Sequence, residues 1–257
     1  LTMIEGRTDA FYVIDSPDVD VAQVIGETKA DIVASQDVIS LLNTAEIDSS
    51  YGGTYFPYIQ LRDTQNNVNV FIPPTGEVVK SIAYSDKVKA PWFAPSGVQR
   101  GITDARKSKY KISQTGRGIL YQGRINPLAD FIDVGTVIFG QKTLLDADNL
   151  LTRISVRRMI LQAKLLISNV SLRLLFDQND QAIIDEFITK VNPILDNIKR
   201  ERGLRSFQVK MDDSINSTET RNRNELYGEI ELVPTTALEK IGITFNISPE
   251  GASFSEA

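Results

Sequence analysis

The segment from Gly135 to Thr143 comes closest to a motif with known chemistry. It reads Gly-Thr-Val-Ile-Phe-Gly-Gln-Lys-Thr and resembles the glycine-rich phosphate-binding loop of nucleotide-binding proteins. In that loop a lysine directly follows the second glycine, so that its ammonium and the backbone N–H groups contact the same phosphates. Here Gln141 separates Gly140 from Lys142, and strand-forming residues fill the loop positions. The segment therefore favours a strand followed by a polar turn.

Other candidate sites carry weaker signals. Gly116, Gly118 and Gly123 resemble a dinucleotide-binding fingerprint, but their spacing is wrong for it. Two carboxylate pairs could bind a hard cation in principle, although neither matches the EF-hand calcium loop. These pairs are Asp146 with Asp148 and Asp212 with Asp213. We therefore predict no catalytic, cofactor-binding or metal-binding residue, and a carboxylate- or metal-dependent enzyme remains the alternative.

The composition excludes several further classes of site. The 257 residues include no Cys and no His, which removes disulfides, cysteine-ligated metals, thiol nucleophiles and the commonest general base. The 28 Lys and Arg stand against 33 Asp and Glu, a net charge of −5, which argues against general nucleic-acid binding. The apolar runs are too short for a membrane span, so direct membrane insertion is not expected.

The N-terminal part of the chain predicts alternating strands and helices. Residues 10–15 form an apolar run that ends at Ser16-Pro17, as a buried strand entering a turn would. After it we expect a helix at 19–34, a short helix capped by Ser35, strands at 55–61 and 68–72, and a helix capped by Thr75. This order is typical of an α/β layer.

The residues from 91 to 97 interrupt this pattern. They contain two prolines, a glycine and the single Trp92, a composition that prevents regular structure. Such a stretch marks either a domain junction or an ordered crossing loop. We place a domain boundary here, between an α/β domain at 1–94 and a second domain at 95–257. The second domain begins with a basic stretch, 97–128, whose glycines and weak periodicity predict mostly loop with short elements. A strand is expected after it at 132–139.

The rest of the chain predicts two long amphipathic helices and three strands. Apolar residues recur at helical spacing at 148–168 and 180–200, where Pro193 predicts a kink and Gly203 a helix stop. Alternating residues predict half-buried strands at 206–211, 226–232 and 241–247. The predicted fold is therefore α+β / α/β: a partial α/β layer, then a small, mostly antiparallel sheet covered by two long helices.

Several short motifs, in order, resemble one known family. The motifs are RTDAFYVIDSP at 7–17, YFPY at 55–58, IPPTG at 72–76, PWFAPSG at 91–97 with RG at 100–101, RINP at 124–127, IFGQKT at 138–143 and ISVRR at 154–158. Together they resemble the C-terminal portion of the contractile tail sheath proteins of tailed bacteriophages. Two departures are Val98-Gln99, where an aromatic-Asn pair is usual, and the glycine-rich stretch 113–123, where relatives carry a charged helix.

The resemblance implies a structural role and no enzymatic activity. It implies a virion protein, assembled in the host cytoplasm, whose copies form a six-start helix of hexameric rings around the tail tube. Contraction of this sheath, without nucleotide, would drive the tube through the host envelope. The implied partners are the protein itself, the tail tube protein, and the baseplate and tail terminator proteins. The resemblance also implies a missing N-terminal arm and outer domains. A baseplate or receptor-binding structural protein is a second alternative.

Strand exchange between subunits is the predicted means of assembly. A sheet of three short strands leaves unpaired N–H and C=O groups at its edges, which can accept a strand from a neighbour. In sheath proteins, terminal arms exchange in this way. Carried onto this sequence, the C-terminal arm is about 241–257. Its anchors are Ile241, Ile243, Phe245 and Ile247, with an ordinary intramolecular strand as the alternative.

The tail tube contact is predicted on the first long helix. Because the tube must be released, weak charged contacts repeated over many rings suit this surface. The first set is Arg153, Arg157, Arg158 and Lys164, on the polar side of that helix. The alternative set on the second helix is Lys190, Lys199 and Arg200. A solvated face or intramolecular ion pairs would explain either set equally well.

Overall fold

The computed structural model describes residues 8–19, 29–147, 149–212, 215–217, 219–220 and 223–239. The strands are β1 (Tyr12–Asp15), β2 (Gly52–Phe56), β3 (Ile59–Asp63), β4 (Val68–Ile72), β5 (Lys107–Ser108), β6 (Ile125–Phe131), β7 (Gly135–Ile138), β8 (Leu204–Lys210) and β9 (Glu229–Pro234). The helices are α1 (Lys29–Thr44), α2 (Thr75–Val88), α3 (Gln114–Gln122), α4 (Ile154–Leu174) and α5 (Gln181–Arg200). This mixture of helices with parallel and antiparallel sheets confirms the predicted α+β / α/β class.

A four-stranded sheet forms the centre of the first half, in the order β1-β2-β6-β7. The first three strands are parallel and β7 is antiparallel to β6. Every residue of β2 is buried, including Tyr55 and Phe56 at 1% exposure. Because β2 pairs with β6, this sheet joins residues on both sides of residue 94. The division into domains at 1–94 and 95–257 stays a prediction.

Three local predictions in the first half are wrong. The single strand expected at 55–61 is two strands, β2 and β3, with Pro57 between them. Ser35 does not begin a helix, because α1 runs through it from Lys29 to Thr44. Thr75 is the first residue of α2 and makes no cap; its hydroxyl donates a hydrogen bond to the Asp15 carboxylate.

The basic stretch 97–128 contains short regular elements between loops, as predicted. It contains β5, α3 and the start of β6, and the Ser113 hydroxyl caps α3 by accepting a hydrogen bond from the Gly116 N–H at 3.2 Å. The glycines do not prevent the helix, because α3 is stabilised by packing against α1. Leu120 is completely buried in this contact, and a Cβ at Gly123 would lie 2.5 Å from Ile39. The expected strand at 132–139 is the shorter β7.

The second half consists of α4, α5 and the β8–β9 ribbon around one apolar cluster. The first predicted helix starts later than expected, at Ile154, after a 3₁₀ turn at Leu150–Thr152. Its apolar stripe packs against that of α5. Buried members of the cluster are Met159, Ala163, Ile183, Ile184, Phe187, Val191, Leu195 and Ile198. Pro193 lies inside α5.

The end of α5 differs from the predicted glycine stop. The residue in the left-handed conformation is Arg202, with φ of 69°, and the next N–H, of Gly203, donates to the Ile198 carbonyl at 2.8 Å. Gly203 is needed instead for close packing, because a Cβ there would lie 2.7 Å from Ile198 and 3.0 Å from Trp92. Steric demand thus selects this glycine.

The β8–β9 ribbon is antiparallel and packs on α5. Its strands correspond to the first two of the three that alternation predicts, 206–211 and 226–232. The third, at 241–247, lies outside the described residues. Phe207, Val209 and Ile230 pack against the cluster between α4 and α5. None of the described helices is both long and apolar enough to cross a membrane.

Candidate assembly interface

The β8–β9 ribbon presents two strand edges that no other described strand covers. Among the described residues, β8 pairs only with β9, so each strand has one neighbour and one outward edge. One face of the ribbon packs on α5, while Lys210 and Glu231 form an ion pair at 2.6 Å across the two strands. The hydrogen bond from Lys210 to Glu231 raises the pKa of the lysine. Backbone groups at such edges can hydrogen-bond to an added strand.

The chain leaves this ribbon beside α4. After β9, the N–H of Thr235 donates to the Gly203 carbonyl at 3.0 Å. The Glu239 carboxylate then accepts hydrogen bonds from the Arg153 side chain at 2.6 Å and from the Gln141 amide at 3.0 Å. Residues 235–239, which precede the C-terminal segment, are therefore held on the subunit by these hydrogen bonds. The predicted anchors Ile241, Ile243, Phe245 and Ile247 lie outside the described residues, so strand exchange stays a prediction.

Arg157, one of the predicted tube contacts, is buried inside the subunit. Only 8% of the residue is exposed, and its guanidinium lies 4.1 Å from the ring centroid of Tyr51 and donates to the Ser50 hydroxyl. Burial lowers the pKa of this arginine, whereas Tyr51 raises it. A guanidinium over an aromatic face is a stabilising arrangement. Arg157 therefore connects α4 to the turn before β2.

Arg158 is buried to the same extent on another side of α4. It is 8% exposed and donates two hydrogen bonds to the Asp86 carboxylate, at 2.5 and 2.6 Å, and one to the Pro91 carbonyl at 3.2 Å. These contacts join α4 to the end of α2. The premise that Arg157 and Arg158 lie on an exposed polar side of the helix is wrong, because the first turns of α4 are buried all round.

The remaining predicted cations lie just before α4, on α4 and on α5. Arg153 is occupied by Glu239, as described above. Lys164 is exposed and donates to the Thr8 hydroxyl at 2.9 Å. The alternative set on α5 is also exposed: Lys190 pairs with Glu186, Arg200 donates to Asn197 at 2.9 Å, and Lys199 lies 6.0 Å from the ring centroid of Phe207. Of the residues in the two predicted sets, Lys164 and the three on α5 are therefore the exposed ones. Contact of either set with a tube stays a prediction.

The sequence patterns missed Asn126, which holds the central sheet to the turn after β7. It is fully buried, its amide donates to the carbonyls of Thr54 at 3.1 Å and Lys142 at 2.7 Å, and its side-chain oxygen accepts from the Lys142 N–H at 2.6 Å. The available signal was an amide side chain between the apolar residues of RINP at 124–127. The strand predicted in this segment is β7, and Lys142 after it pairs with Arg153 in an isolated antiparallel β-bridge.

The described residues contain no cluster of three or more Asp or Glu side chains that could hold a metal ion. The chain matches no known family model. It is, however, 30% identical to the tail sheath protein of Vibrio phage KVP40 over 239 residues, which is 92% of this chain and 35% of that protein. The chain belongs to the tail sheath protein family. This confirms the resemblance found in the sequence.

Other relatives agree with this assignment. The tail sheath protein of Enterobacteria phage T4 is 28% identical over 215 residues, 83% of this chain and 33% of that protein. The tail sheath chain described here therefore spans about a third of the length of the curated relatives it matches.

Solved structures of contracted sheaths share the fold. The sheath complex of an extracellular contractile injection system in its contracted state superimposes with a TM-score of 0.78 at 20% identity, covering 93% of this chain and 64% of the other. The helical sheath of the anti-feeding prophage in its contracted state gives 0.72 at 18% identity, covering 92% and 61%. The mixed fold of the tail sheath chain is therefore that of contractile sheaths.

Proposed function

We propose that the chain is part of a sheath subunit that polymerises around a tail tube and contracts to drive the tube through a host envelope. Family membership and the fold shared with contracted sheaths support this role. The single observation that carries it is the β8–β9 ribbon, whose outer edges no described strand covers. A strand supplied by a neighbouring copy would add sheet hydrogen bonds at such an edge.

The C-terminal arm supplies that strand in our proposal. In the sequence the arm, 241–257, follows shortly after Glu239, which is held by its contacts with Arg153 and Gln141. Ile241, Ile243, Phe245 and Ile247 alternate with polar residues, so one face of the arm would cover the apolar cluster of a neighbouring copy. Exchange of this kind keeps subunits connected while they rotate relative to one another.

Contraction in this proposal requires no nucleotide. The subunits assemble as a six-start helix of hexameric rings in a metastable packing and move to one of lower free energy. The accessible cations of α5, Lys190, Lys199 and Arg200, are now better candidates for a breakable tube contact than the buried arginines of α4. Lys164 remains the exposed candidate on α4. Each contact of about 0.2–1 kcal/mol is weak alone and becomes effective by repetition.

The other partners and the location follow from the same role. The baseplate and the tail terminator protein would cap the two ends of the polymer, which assembles in the host cytoplasm and becomes part of the virion. Among the solved structures of similar fold is the baseplate of the anti-feeding prophage, with a TM-score of 0.74 at 18% identity. This similarity supports a sheath fold that operates next to a baseplate.

Substitutions on the two faces of the arm test the proposal. In the full-length protein, Ile243→Asp would place a charge on the apolar face, whereas the matched control Thr244→Asp would place it on the polar face. We expect Ile243→Asp to yield soluble, folded subunits that form no tubes in negative-stain electron microscopy, and Thr244→Asp to assemble. Deletion of 242–257 should also abolish tubes. Tubes of normal length from the deleted protein would refute strand exchange by this arm.

A further inference from the structure

A polar cavity of about 690 Å³ lies beside residues 236–239, just before the C-terminal segment. Its walls come from the turn after β7, the 3₁₀ turn before α4, and residues 236–239. Three cationic side chains line it, and two carboxylates. These are Arg124, Lys142 and Arg153, with Asp146 and Glu239. The cavity therefore carries one more positive than negative charge.

The two carboxylates are engaged unequally with the three cations. Glu239 is 2.6 Å from the Arg153 guanidinium and accepts a further hydrogen bond from Gln141. Asp146 is 76% exposed and lies 3.8 Å from Arg124, a loose contact. The Lys142 ammonium has no carboxylate ion pair within the described part of the chain; it lies 4.6 Å from the ring centroid of Tyr121.

The Lys142 ammonium is in an environment that disfavours its charge. Partial burial is the largest cause of a lowered pKa for this lysine. The positive charges of Arg153 and Arg124 lower the pKa further, whereas the negative charge of Glu239 raises it. An anion bound next to this ammonium would relieve the repulsion and replace the lost hydration. Gln122 and Asn149, which also line the cavity, provide neutral amides for further hydrogen bonds to oxygen.

We propose that this cavity binds one oxyanion group, a carboxylate or a phosphate, with Lys142 and Arg124 as its charged ligands. Arg124 is suited to this role because one of its Nη atoms is fixed by a hydrogen bond to the Leu144 carbonyl at 2.9 Å, which orients the planar guanidinium. The oxyanion is either a free anion from solution or an acidic side chain of a second copy of this chain. Neither source depends on the strand exchange proposed above.

Inorganic phosphate is the probe for the free-anion source. In the 257-residue chain at low ionic strength with chloride as the background anion, phosphate should give saturable NMR shifts of the Lys142 and Arg124 signals. Lys142→Gln should weaken phosphate binding by roughly tenfold or more, since a charge-assisted contact is lost. The matched control Lys190→Gln, on the outer face of α5, should bind as the wild type does. Equal binding by the wild type and Lys142→Gln would overturn the proposal.

Dilution identifies a second copy as the source. If a neighbour's carboxylate fills the cavity, the Lys142 signal should depend on protein concentration without phosphate, and added phosphate should reverse this dependence. Saturable phosphate binding with no concentration dependence supports the free-anion source. The proposal is refuted if neither phosphate nor protein concentration moves the Lys142 signal.

Discussion

Replacement of Arg158 by Met should destabilise the subunit, because this arginine holds α4 to α2. The substitution removes the guanidinium and its three hydrogen bonds, two of them to Asp86. Removing one partner of a fully buried ion pair costs about 3–5 kcal/mol. The Asp86 side chain is 36% exposed, so water restores part of its solvation, and we expect about 2–3 kcal/mol instead.

Thermal unfolding measures this effect directly. In a chain of this size 1 kcal/mol corresponds to roughly 2–4 °C, so Arg158→Met should lower the melting temperature by roughly 4–12 °C. Arg200→Met, which removes an exposed arginine from α5, is the matched control and should change stability by less than about 0.5 kcal/mol. A double-mutant cycle with Asp86→Asn should give a coupling of about 1–2 kcal/mol.

The opposite pattern would refute the structural role of Arg158. If Arg158→Met melts within about 2 °C of the wild type, but the full-length protein fails to assemble on tubes, then the arginine acts at an interface and not inside the subunit. A coupling energy near zero with Asp86 would contradict the contact itself.

Three further residues, Gly203, Asn126 and Tyr55, give predictions about the stability of the subunit. Gly203→Ala should cost about 1–3 kcal/mol in urea unfolding, because the new Cβ would meet atoms at 2.7–3.0 Å; Gly228→Ala, whose nearest neighbours are at 3.6 Å, should be tolerated, and equal effects would contradict this. Asn126→Ala removes three buried hydrogen bonds and should cost about 2–4 kcal/mol; a loss below about 1 kcal/mol would show that water replaces the amide. Burial raises the pKa of Tyr55, so the unfolded chain loses this proton first and stability should fall above about pH 10. Tyr55→Phe should lose less stability than the wild type between pH 8 and pH 11, and parallel losses would refute this.

The long amphipathic helices could be predicted because their buried residues repeat at helical spacing. The stripe containing Met159 and Ala163 on α4 and that containing Val191 and Leu195 on α5 meet in one cluster. A stripe of this kind is visible without knowing what covers it. The predicted alternation in β8 and β9 could be seen for the same reason, because one face of the ribbon lies on a helix.

The buried arginines could not be predicted from the same stripe. Arg157 and Arg158 follow Val156 directly, and at that point the helix is covered on all sides, so helical spacing no longer separates an inner from an outer face. A charged side chain usually lies in solvent, and only the positions of Tyr51 and Asp86, far away in sequence, reverse that expectation. Spatial partners of this kind leave no local signal.

Strand β6 was missed because its sequence combines a polar amide and a proline at its start. Asn126 and Pro127 argue against a central strand, and the glycines and weak periodicity of the stretch before them predict mostly loop. The strand forms because its side chains are buried between helices and the neighbouring β2, and Asn126 finds hydrogen-bond partners in the turn that contains Lys142. Tertiary contacts therefore override the local preference.

The fluorescence of Trp92 reports on the contact between the segment 91–97 and the end of α5. The indole N–H donates to the carbonyl of Glu201 at 3.0 Å, and the ring packs against the cluster between α4 and α5. Because the sequence has no other tryptophan, all indole fluorescence comes from the point where the crossing segment 91–97 meets the end of α5. In the 257-residue chain, any rearrangement that separates those two parts during unfolding would change the fluorescence of this one residue.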